Sequence, residues 1–347
     1  MKILLAMNGS LRIFCILMYL LCSWMVEDVE CYLVYKGELN PPCKKLTGLR
    51  LDEYRACKGY LLIVAITKGK LKDAKRLLED ESDAPYVVAF KDKTEKTYGF
   101  TALIWAAKKN YTELVKLLVQ KGAKVNHASG GNYTALYYSV KNRNKECVAL
   151  LLTKGADPNI FPRGGNSPLL DAAWNDCFDM AKLLLDNEAD PNSMTEGSNV
   201  TSLMIATAYG HKAVVQTLLN SRANPNVKDN RDMTPLHKAA YYGHLDILRL
   251  LLTKGAKVDA VDKKNRTALH EGCRKGQKDI VREIVKHCPD DKIRNIYGRT
   301  ALEEARFRVK VLQKIPKKAG KDTRRTDLLK NVITILEGYK SSSCRNG

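Results

Sequence analysis

Apolar positions with helical spacing recur in short blocks along most of the chain. In the clearest block, residues 233–260, Leu236, Ala239 and Ala240 form one apolar face at i, i+3 and i+4. A second stripe of leucines begins at Leu245. The pattern predicts two short antiparallel helices joined by a turn. Because isolated helices of fewer than about 12–15 residues are marginal in water, such a pair is expected to pack against neighbouring pairs.

Four residues mark where these two helices begin and end. Thr234 is expected to cap the first helix, and Pro235 occupies the first helical position, where its missing N–H costs nothing. Gly243 separates the helices, and Gly255 is expected to close the second helix in the left-handed conformation. The block is therefore a helix-turn-helix unit with its own start and stop signals.

The cap residue of the first helix recurs at intervals of 33 or 34 residues. This period, together with TPLHKAA at residues 234–240, resembles the ankyrin repeat, whose signature is T-P-L-H-x-A; residues 267–270 and 101–103 are degenerate copies. The resemblance covers about four-fifths of the chain and implies an all-α solenoid of about eight helix-turn-helix repeats with short β-hairpin loops. The cap residues are Thr101, Thr134, Ser167, Thr201, Thr234, Thr267 and Thr300.

The repeat register divides the chain into segments. Terminal repeats of a solenoid are atypical, because one of their faces meets water instead of a neighbour. The predicted segments are a leader at 1–26, a cysteine-containing segment at 27–58, a capping repeat with its connection at 59–98, six regular repeats at 99–296, a C-terminal capping repeat at 297–337 with a basic insertion at 306–327 and its second helix at 328–336, and a polar, disordered tail at 338–347.

The leader contains an unbroken apolar run at residues 13–26, which follows Lys2 and Arg12 and precedes acidic residues. This order is typical of a secretory signal peptide. A membrane-spanning helix needs about 17–25 residues, so an uncleaved signal anchor is the second interpretation and a buried core helix is the third. Ankyrin repeat proteins are mostly intracellular, so the resemblance implies a cytoplasmic location, whereas the apolar run favours secretion.

The chain is strongly basic, with 58 Lys and Arg residues against 38 Asp and Glu residues and a formal net charge of +20. Such an excess favours an acidic protein partner, an anionic surface or a polyanion. The alternative is a solvated, lysine-rich surface without a specific partner.

The resemblance also implies where a partner binds, because ankyrin repeats bind mostly through the hairpin tips and the exposed end of the first helix. These positions lie seven and eight residues after each cap residue, on the concave face. Exposed aromatic anchors dominate binding energy, and flanking lysines steer an acidic partner. In the alternative interpretation the aromatic rings pack on neighbouring tips, such as Phe161 or Tyr133. The predicted partner-binding residues are Lys108, Lys109, Lys141, Trp174, Tyr209, Tyr241, Tyr242, Arg274 and Lys275.

The basic insertion is a second candidate site. Its density of cations suits a sulfated polysaccharide or an anionic surface, and for an exported protein a heparin-like polysaccharide is favoured over nucleic acid. The alternative is a solvated loop. The predicted polyanion-binding residues are Arg306, Arg308, Lys310, Lys314, Lys317, Lys318, Lys321, Arg324 and Arg325.

Candidate chemistry other than binding is sparse. No GxSxG, HExxH or P-loop motif occurs, so the sequence predicts neither an enzyme nor a small-molecule substrate. The histidines lie in separate repeats and the cysteines lack paired CxxC spacing, so no metal ion or cofactor is expected. The resemblance implies that His237 and His270, in the TPLH slot, join a structural hydrogen-bond network.

The cysteines bear on the compartment. Cys147 and Cys273 are expected to be small buried side chains, whereas Cys31 and Cys43 could close a loop if the compartment is oxidising. Export would also make N-x-[ST] sequons matter, although three of the four that follow the leader arise from the repeat register itself. The sequons begin at Asn110, Asn132, Asn199 and Asn265.

These observations predict a monomeric, non-catalytic protein–protein interaction module that is secreted and binds an acidic protein. The alternatives are an intracellular or membrane-anchored adaptor, an exported effector or toxin-like protein, and a polyanion-binding protein.

Overall fold

Pairs of short helices, repeated along the chain, make up the protein. The structure is a computed structural model, and it describes residues 51–79, 83–91, 99–314 and 321–339. Several predictions concern other parts of the chain. Outside the described residues lie the leader at 1–26, Cys31, Cys43, Lys317, Lys318, the tail from 340 onward and the side chains of Lys314, Lys321 and Arg324.

The described residues form seventeen α-helices and no sheet, with β-pairing limited to isolated bridges such as that between Met194 and Thr201. Eight helix pairs follow one another, and we number these pairs as repeats one to eight. This arrangement confirms the predicted all-α repeat fold. The helices are α1 Leu51–Thr67, α2 Leu71–Leu77, α3 Ala84–Val88, α4 Ala102–Lys108, α5 Thr112–Gln120, α6 Ala135–Lys141, α7 Lys145–Thr153, α8 Pro168–Trp174, α9 Phe178–Asp186, α10 Ser202–Tyr209, α11 Lys212–Asn220, α12 Pro235–Tyr242, α13 Leu245–Thr253, α14 Ala268–Lys275, α15 Lys278–Val285, α16 Ala301–Lys314 and α17 Lys321–Glu337.

The predicted cap residues begin the first helix of each regular repeat. The hydroxyl of Thr134, for example, accepts a hydrogen bond from the backbone N–H of Tyr137 at 3.1 Å. Gly243 ends its helix with φ +84°, and Gly255 has the same left-handed value after the second helix. A side chain at either position would be strained, so these glycines fix the ends of the helices as the sequence predicts.

The histidines of the TPLH slots link one repeat to the next. Nδ1 of His237 accepts a hydrogen bond from the backbone N–H of Thr234 at 3.2 Å, which leaves Nε2 to donate to the carbonyl of Arg266 at 2.8 Å. His270 makes the equivalent bonds, the second of them to Arg299 at 3.2 Å. The structural role implied for both imidazoles is therefore confirmed.

The apolar faces predicted from the sequence form one continuous core. A single cluster of buried side chains extends from Leu62 in α1 to Leu336 in α17. Leu236, Ala239 and Ala240 belong to this cluster and are almost completely buried. Each short helix is therefore stabilised mainly by burial against neighbouring helices rather than by its own propensity.

The N-terminal cap begins earlier than the predicted boundary at residue 59, because α1 starts at Leu51. An additional short helix, α3, lies in the predicted connection. Arg55 and Lys58 of α1 both approach the carboxylate of Asp83, beside α3, at 3.0 Å. These ion pairs tie the early part of α1 to the connection, and the sequence pattern gave no sign of them.

The basic stretch at 306–327 lies mostly in helices rather than in an inserted loop. α16 continues to Lys314, because no glycine or proline interrupts the chain before Pro316. α17 begins at Lys321, seven residues before the predicted start of the second helix. None of the helices in the described part of the chain is both long and apolar enough to cross a membrane.

Candidate partner-binding face

The first helices of repeats two to eight pack side by side, so equivalent positions on them line up. α4, α6, α8, α10, α12, α14 and α16 are consecutive neighbours in this row. We call the line of positions one residue before and four, seven and eight residues after each cap residue the first-helix face. It contains all nine predicted partner-binding residues.

An aromatic cluster occupies the first-helix face of repeats two and three. The ring centroid of Phe100 lies 5.3 Å from that of Trp105 and 5.8 Å from that of Tyr138. Tyr133 stacks on Tyr138 at 5.6 Å. Offset and edge-to-face pairs at such distances are favourable, so the rings join the two repeats into one apolar platform.

Three lysines lie beside this platform. Nζ of Lys108 is 4.8 Å from the ring centroid of Trp105 and 5.4 Å from that of Tyr138, which is the geometry of a cation–π contact. Burial lowers the pKa of Lys108, and the charges of Lys109 and Lys141 lower it further. Within the described residues none of the three lysines forms an ion pair with a carboxylate. Their positive charge is therefore not neutralised by the protein itself.

Trp174 and Tyr209 form an exposed aromatic pair in repeats four and five. Trp174 is 49% exposed and Tyr209 is 52% exposed, although their ring centroids are only 5.0 Å apart and the planes are tilted by 53°. Tyr209 also stacks on His211 at 5.8 Å. Trp174 thus contacts a ring of the next repeat, not the predicted alternatives Phe161 or Tyr133, and both rings keep about half of their surface accessible.

Asp171 is the one acidic residue at the first-helix-face positions of repeats two to five. Its carboxylate is half-buried and accepts a hydrogen bond from Nδ2 of Asn166 at 2.8 Å. Burial raises the pKa of Asp171, and Asn166 and Lys141 offset that effect only in part. The carboxyl group of Asp171 therefore takes up a proton more readily than that of an ordinary aspartate.

Cations and rings contact one another in repeats six and seven. Nζ of Lys275 lies 3.9 Å from the ring centroid of Tyr241, and the guanidinium carbon of Arg274 lies 5.0 Å from it. A hydrogen bond from Lys275 is the main cause of a lowered pKa of Tyr241. Tyr242 is exposed and stacks on His244 at 6.2 Å. All four predicted binding residues of these repeats therefore already contact other side chains within the protein.

Buried carboxylates neutralise the arginines of repeat seven. The carboxylate of Glu271 is completely buried and lies 2.8 Å from Nη1 of Arg266 and 2.6 Å from Nη2 of Arg274. Arg266 and Glu271 are close enough to form an ion pair, but their geometry is not that of a hydrogen bond. Asp262 receives a second contact from Arg266, at 2.6 Å.

The neighbouring repeats neutralise their cations in the same way. Nζ of Lys238 lies 2.6 Å from Oδ2 of Asp229 in repeat six. Glu304 in repeat eight lies 3.2 Å from Nη1 of Arg299 and 3.0 Å from Nε of Arg308. The first-helix face thus changes along the row, from an aromatic surface with unpaired lysines to a surface of internal ion pairs.

Two arginines of the predicted polyanion site also form ion pairs within the protein. Arg306 pairs with Glu337 at 2.7 Å, and Arg308 pairs with Glu304. Lys310 and Arg325 are exposed. Of the four predicted residues whose side chains are described, two therefore have their charge compensated by the protein.

Other chemistry-bearing side chains are dispersed. In the described part of the chain, no group of three or more His, Cys, Asp or Glu residues is placed to hold a metal ion. Cys147 and Cys273 are buried free thiols, which confirms the expected role as small buried side chains, and burial raises the pKa of both. Cys288 is disulfide-bonded.

Five residues of the first-helix face in repeats two to four do not belong to the predicted partner-binding set, because that set contains only positions seven and eight residues after the cap residue. The same 33-residue register identifies them, because they lie one residue before or four residues after a cap residue. The missed residues are Phe100, Trp105, Tyr133, Tyr138 and Asp171.

Known proteins share this architecture. The family model described as ankyrin repeats (3 copies) matches residues 17–129, 125–195, 169–262 and 203–296. The crystal structure of the ankyrin repeat domain of Bcl-3, described as a unique member of the IkappaB protein family, has a TM-score of 0.55 and 26% sequence identity, covering 70% of this chain and 100% of that one. The human ASB11 ankyrin repeat domain has a TM-score of 0.53 and 23% identity, covering 67% and 98%. No curated protein matches the chain by sequence.

Proposed function

Because the chain belongs to the ankyrin repeat family, we propose that it is a non-catalytic module whose first-helix face binds an acidic segment of another protein. Ankyrin repeats are in general protein–protein interaction modules. The partner's acidic groups approach repeats two and three, and its apolar groups contact Trp174 and Tyr209. Repeats six to eight serve as a rigid support for this surface.

The observation that carries the proposal is the uneven distribution of unpaired charge. Lys108, Lys109 and Lys141 have no carboxylate partner among the described residues, whereas Arg274 contacts Glu271 at 2.6 Å. Unpaired cations on a surface steer an acidic partner and speed its association, while internally paired cations contribute little field. The centre of the proposed site therefore lies in the N-terminal half of the row.

Charge reversal tests the proposal. A variant with Lys108→Glu, Lys109→Glu and Lys141→Glu is expected to associate with an acidic protein partner at least about tenfold more slowly, because steering becomes repulsion. The partner is first captured by cross-linking to the full-length wild-type protein. Association rates are then measured by surface plasmon resonance at low and high salt, where the difference between the proteins should shrink as salt rises.

A matched control carries the same change of charge at other positions on the solenoid. Lys154→Glu, Lys182→Glu and Lys278→Glu all replace exposed lysines outside the first-helix face. If this control slows association as much as the first variant does, net charge alone explains the effect and the first-helix face is not the site. Unchanged association of the first variant would also contradict the proposal.

We also propose that the protein is exported. The apolar run at 13–26 supports this location, and so does the disulfide bond of Cys288, because disulfides persist mainly in oxidising compartments. Sequencing of the mature N-terminus from culture medium and from cell lysate is expected to find a shortened chain in the medium. An intact Met1 found only inside cells would contradict export and would leave the binding proposal unaffected.

A further inference from the structure

The tips of four successive hairpin loops lie side by side in a hydrogen-bonded row. The backbone N–H of Asn230 donates to the carbonyl of Ser198 at 2.9 Å, and that of Lys263 donates to Arg231 at 3.0 Å. The N–H of Ile296 continues the series to the carbonyl of Lys264 at 3.0 Å. We call this line the tip row; its residues are Gly197, Ser198, Asn230, Arg231, Lys263, Lys264, Ile296 and Tyr297.

In the last three of the four loops, the residue that precedes the tip holds it in place. The side chain of Asp262 accepts the backbone N–H groups of Lys264 and Arg266 at 2.9 and 2.8 Å. Asn295 does the same for Tyr297 and Arg299 at 2.9 and 3.2 Å. The backbone of the tips is therefore fixed by buried acceptors, and the tip side chains are presented without further ordering of the loop.

The cations of the tip row are exposed and weakly paired. Lys263 and Lys264 form no ion pair within the described residues. The side chain of Arg231 is 70% exposed, and its nearest carboxylate, Asp229, is 4.0 Å away and is already occupied by Lys238. Three positive charges thus stand in a line along the tips of repeats six and seven.

An apolar pair follows these cations at the end of the row. Ile296 is 58% exposed and Tyr297 is 60% exposed, the largest values among the exposed large apolar side chains of the described residues. Neither side chain contributes to the apolar core. Two adjacent exposed apolar side chains contribute little to folding stability, but free energy would be gained if another apolar environment covered them.

We propose that the tip row docks the protein on an anionic phospholipid membrane surface, with the lysines at the lipid phosphates and with Ile296 and Tyr297 at the boundary with the acyl chains. Lysine and tyrosine suit this boundary, because each combines an apolar body with a polar end. A sulfated polysaccharide would bind the cations of the tip row but would offer no apolar layer to Ile296 and Tyr297.

Vesicle flotation with the full-length protein tests the proposal. The probes are vesicles of phosphatidylcholine with about one-third phosphatidylserine and vesicles of phosphatidylcholine alone. Each lysine close to an anionic membrane contributes about fivefold to binding, so Lys263→Glu with Lys264→Glu is expected to weaken binding by about 25-fold or more. Ile296→Ser with Tyr297→Ser is expected to weaken binding to anionic vesicles and to leave its salt dependence unchanged.

The control is Lys154→Glu with Lys182→Glu, which makes the same change of charge away from the tips. It is expected to bind anionic vesicles like the wild type, and far-UV circular dichroism checks that every variant is folded. The proposal is overturned if the wild-type protein does not bind anionic vesicles, or if the tip variants bind them as strongly as the wild type. Equal losses of binding in the tip variants and in the control would also overturn it. So would a result in which the two lysine substitutions weaken binding and the two serine substitutions do not.

Discussion

Replacement of Arg266 with methionine is expected to lower the free energy of unfolding by about 3–5 kcal/mol. Arg266 is the shared counter-ion of two buried carboxylates, at 2.6 Å from Oδ2 of Asp262 and 2.8 Å from Oε1 of Glu271. Methionine keeps much of the apolar volume but leaves both negative charges without this cation. The large cost arises because water cannot replace the guanidinium at buried oxygens.

The free energy of unfolding of Arg266→Met should fall less on acidification than that of the wild type. Burial alone would raise the pKa of Asp262, but hydrogen bonds from Arg266 and from backbone N–H groups outweigh it and lower that pKa. A carboxylate with a lowered pKa in the folded state stabilises the protein above its unfolded pKa, about 4, and this contribution disappears as the pH falls through the folded pKa. In Arg266→Met the hydrogen bonds and the charge of the guanidinium are absent and only the backbone N–H groups still lower this pKa, so the stability of the variant should depend less on pH.

Urea unfolding at pH 7 and at pH 3.5 measures both effects. Arg249→Met is the matched control, because Arg249 contacts Glu283 at 2.9 Å while its side chain is 50% exposed. Because Lys286 also contacts the carboxylate of Glu283, at 3.1 Å, loss of the half-exposed arginine should cost about 1 kcal/mol or less, and the control should remain close to the wild type. Equal losses for the two variants at pH 7 would show that burial does not make the Arg266 cluster essential.

The repeat fold could be predicted from the sequence because its signals are local. A cap residue such as Thr134 acts on an N–H three residues away, and Gly255 ends a helix through its own φ angle. Apolar spacing within each helix identifies the buried face without knowledge of the neighbour. The error at 306–327 has a different cause: high charge in this stretch suggested a loop, although no glycine or proline occurs between Arg306 and Pro316 and α16 packs against α17.

The candidate site could be predicted only in part, because charge compensation acts between repeats. Nothing near Tyr241 in sequence shows that Lys275, one repeat later, covers its ring at 3.9 Å. Composition therefore made the two ends of the row look equally basic, although Arg274 at the C-terminal end is paired with Glu271 and Lys275 lies against the ring of Tyr241. The period of 33 would have indicated which residues are neighbours, but not which of them are buried together.

Replacement of Trp174 with alanine is expected to weaken partner binding by about 30-fold, the equivalent of about 2 kcal/mol. Trp174 is about half exposed and contacts Tyr209 at 5.0 Å, so truncation removes accessible aromatic surface while the core beneath it stays intact. The dissociation rate should carry most of the change, since Trp174 is an anchor rather than a steering charge. Titration calorimetry and plasmon resonance with the captured partner measure the two quantities.

Two further variants decide whether the effect belongs to the aromatic pair. Phe178→Ala removes a comparably exposed ring from the second helix of the same repeat and should leave affinity unchanged. Tyr209→Ala should weaken binding on its own, and the double variant with Trp174→Ala should lose less than the sum of the two, because rings in contact share one apolar surface. Additive losses would mean that the partner contacts the two rings independently. Full affinity in the double variant would place the binding site elsewhere on the solenoid, and the unpaired lysines of repeats two and three would then have to bind the partner without an aromatic anchor.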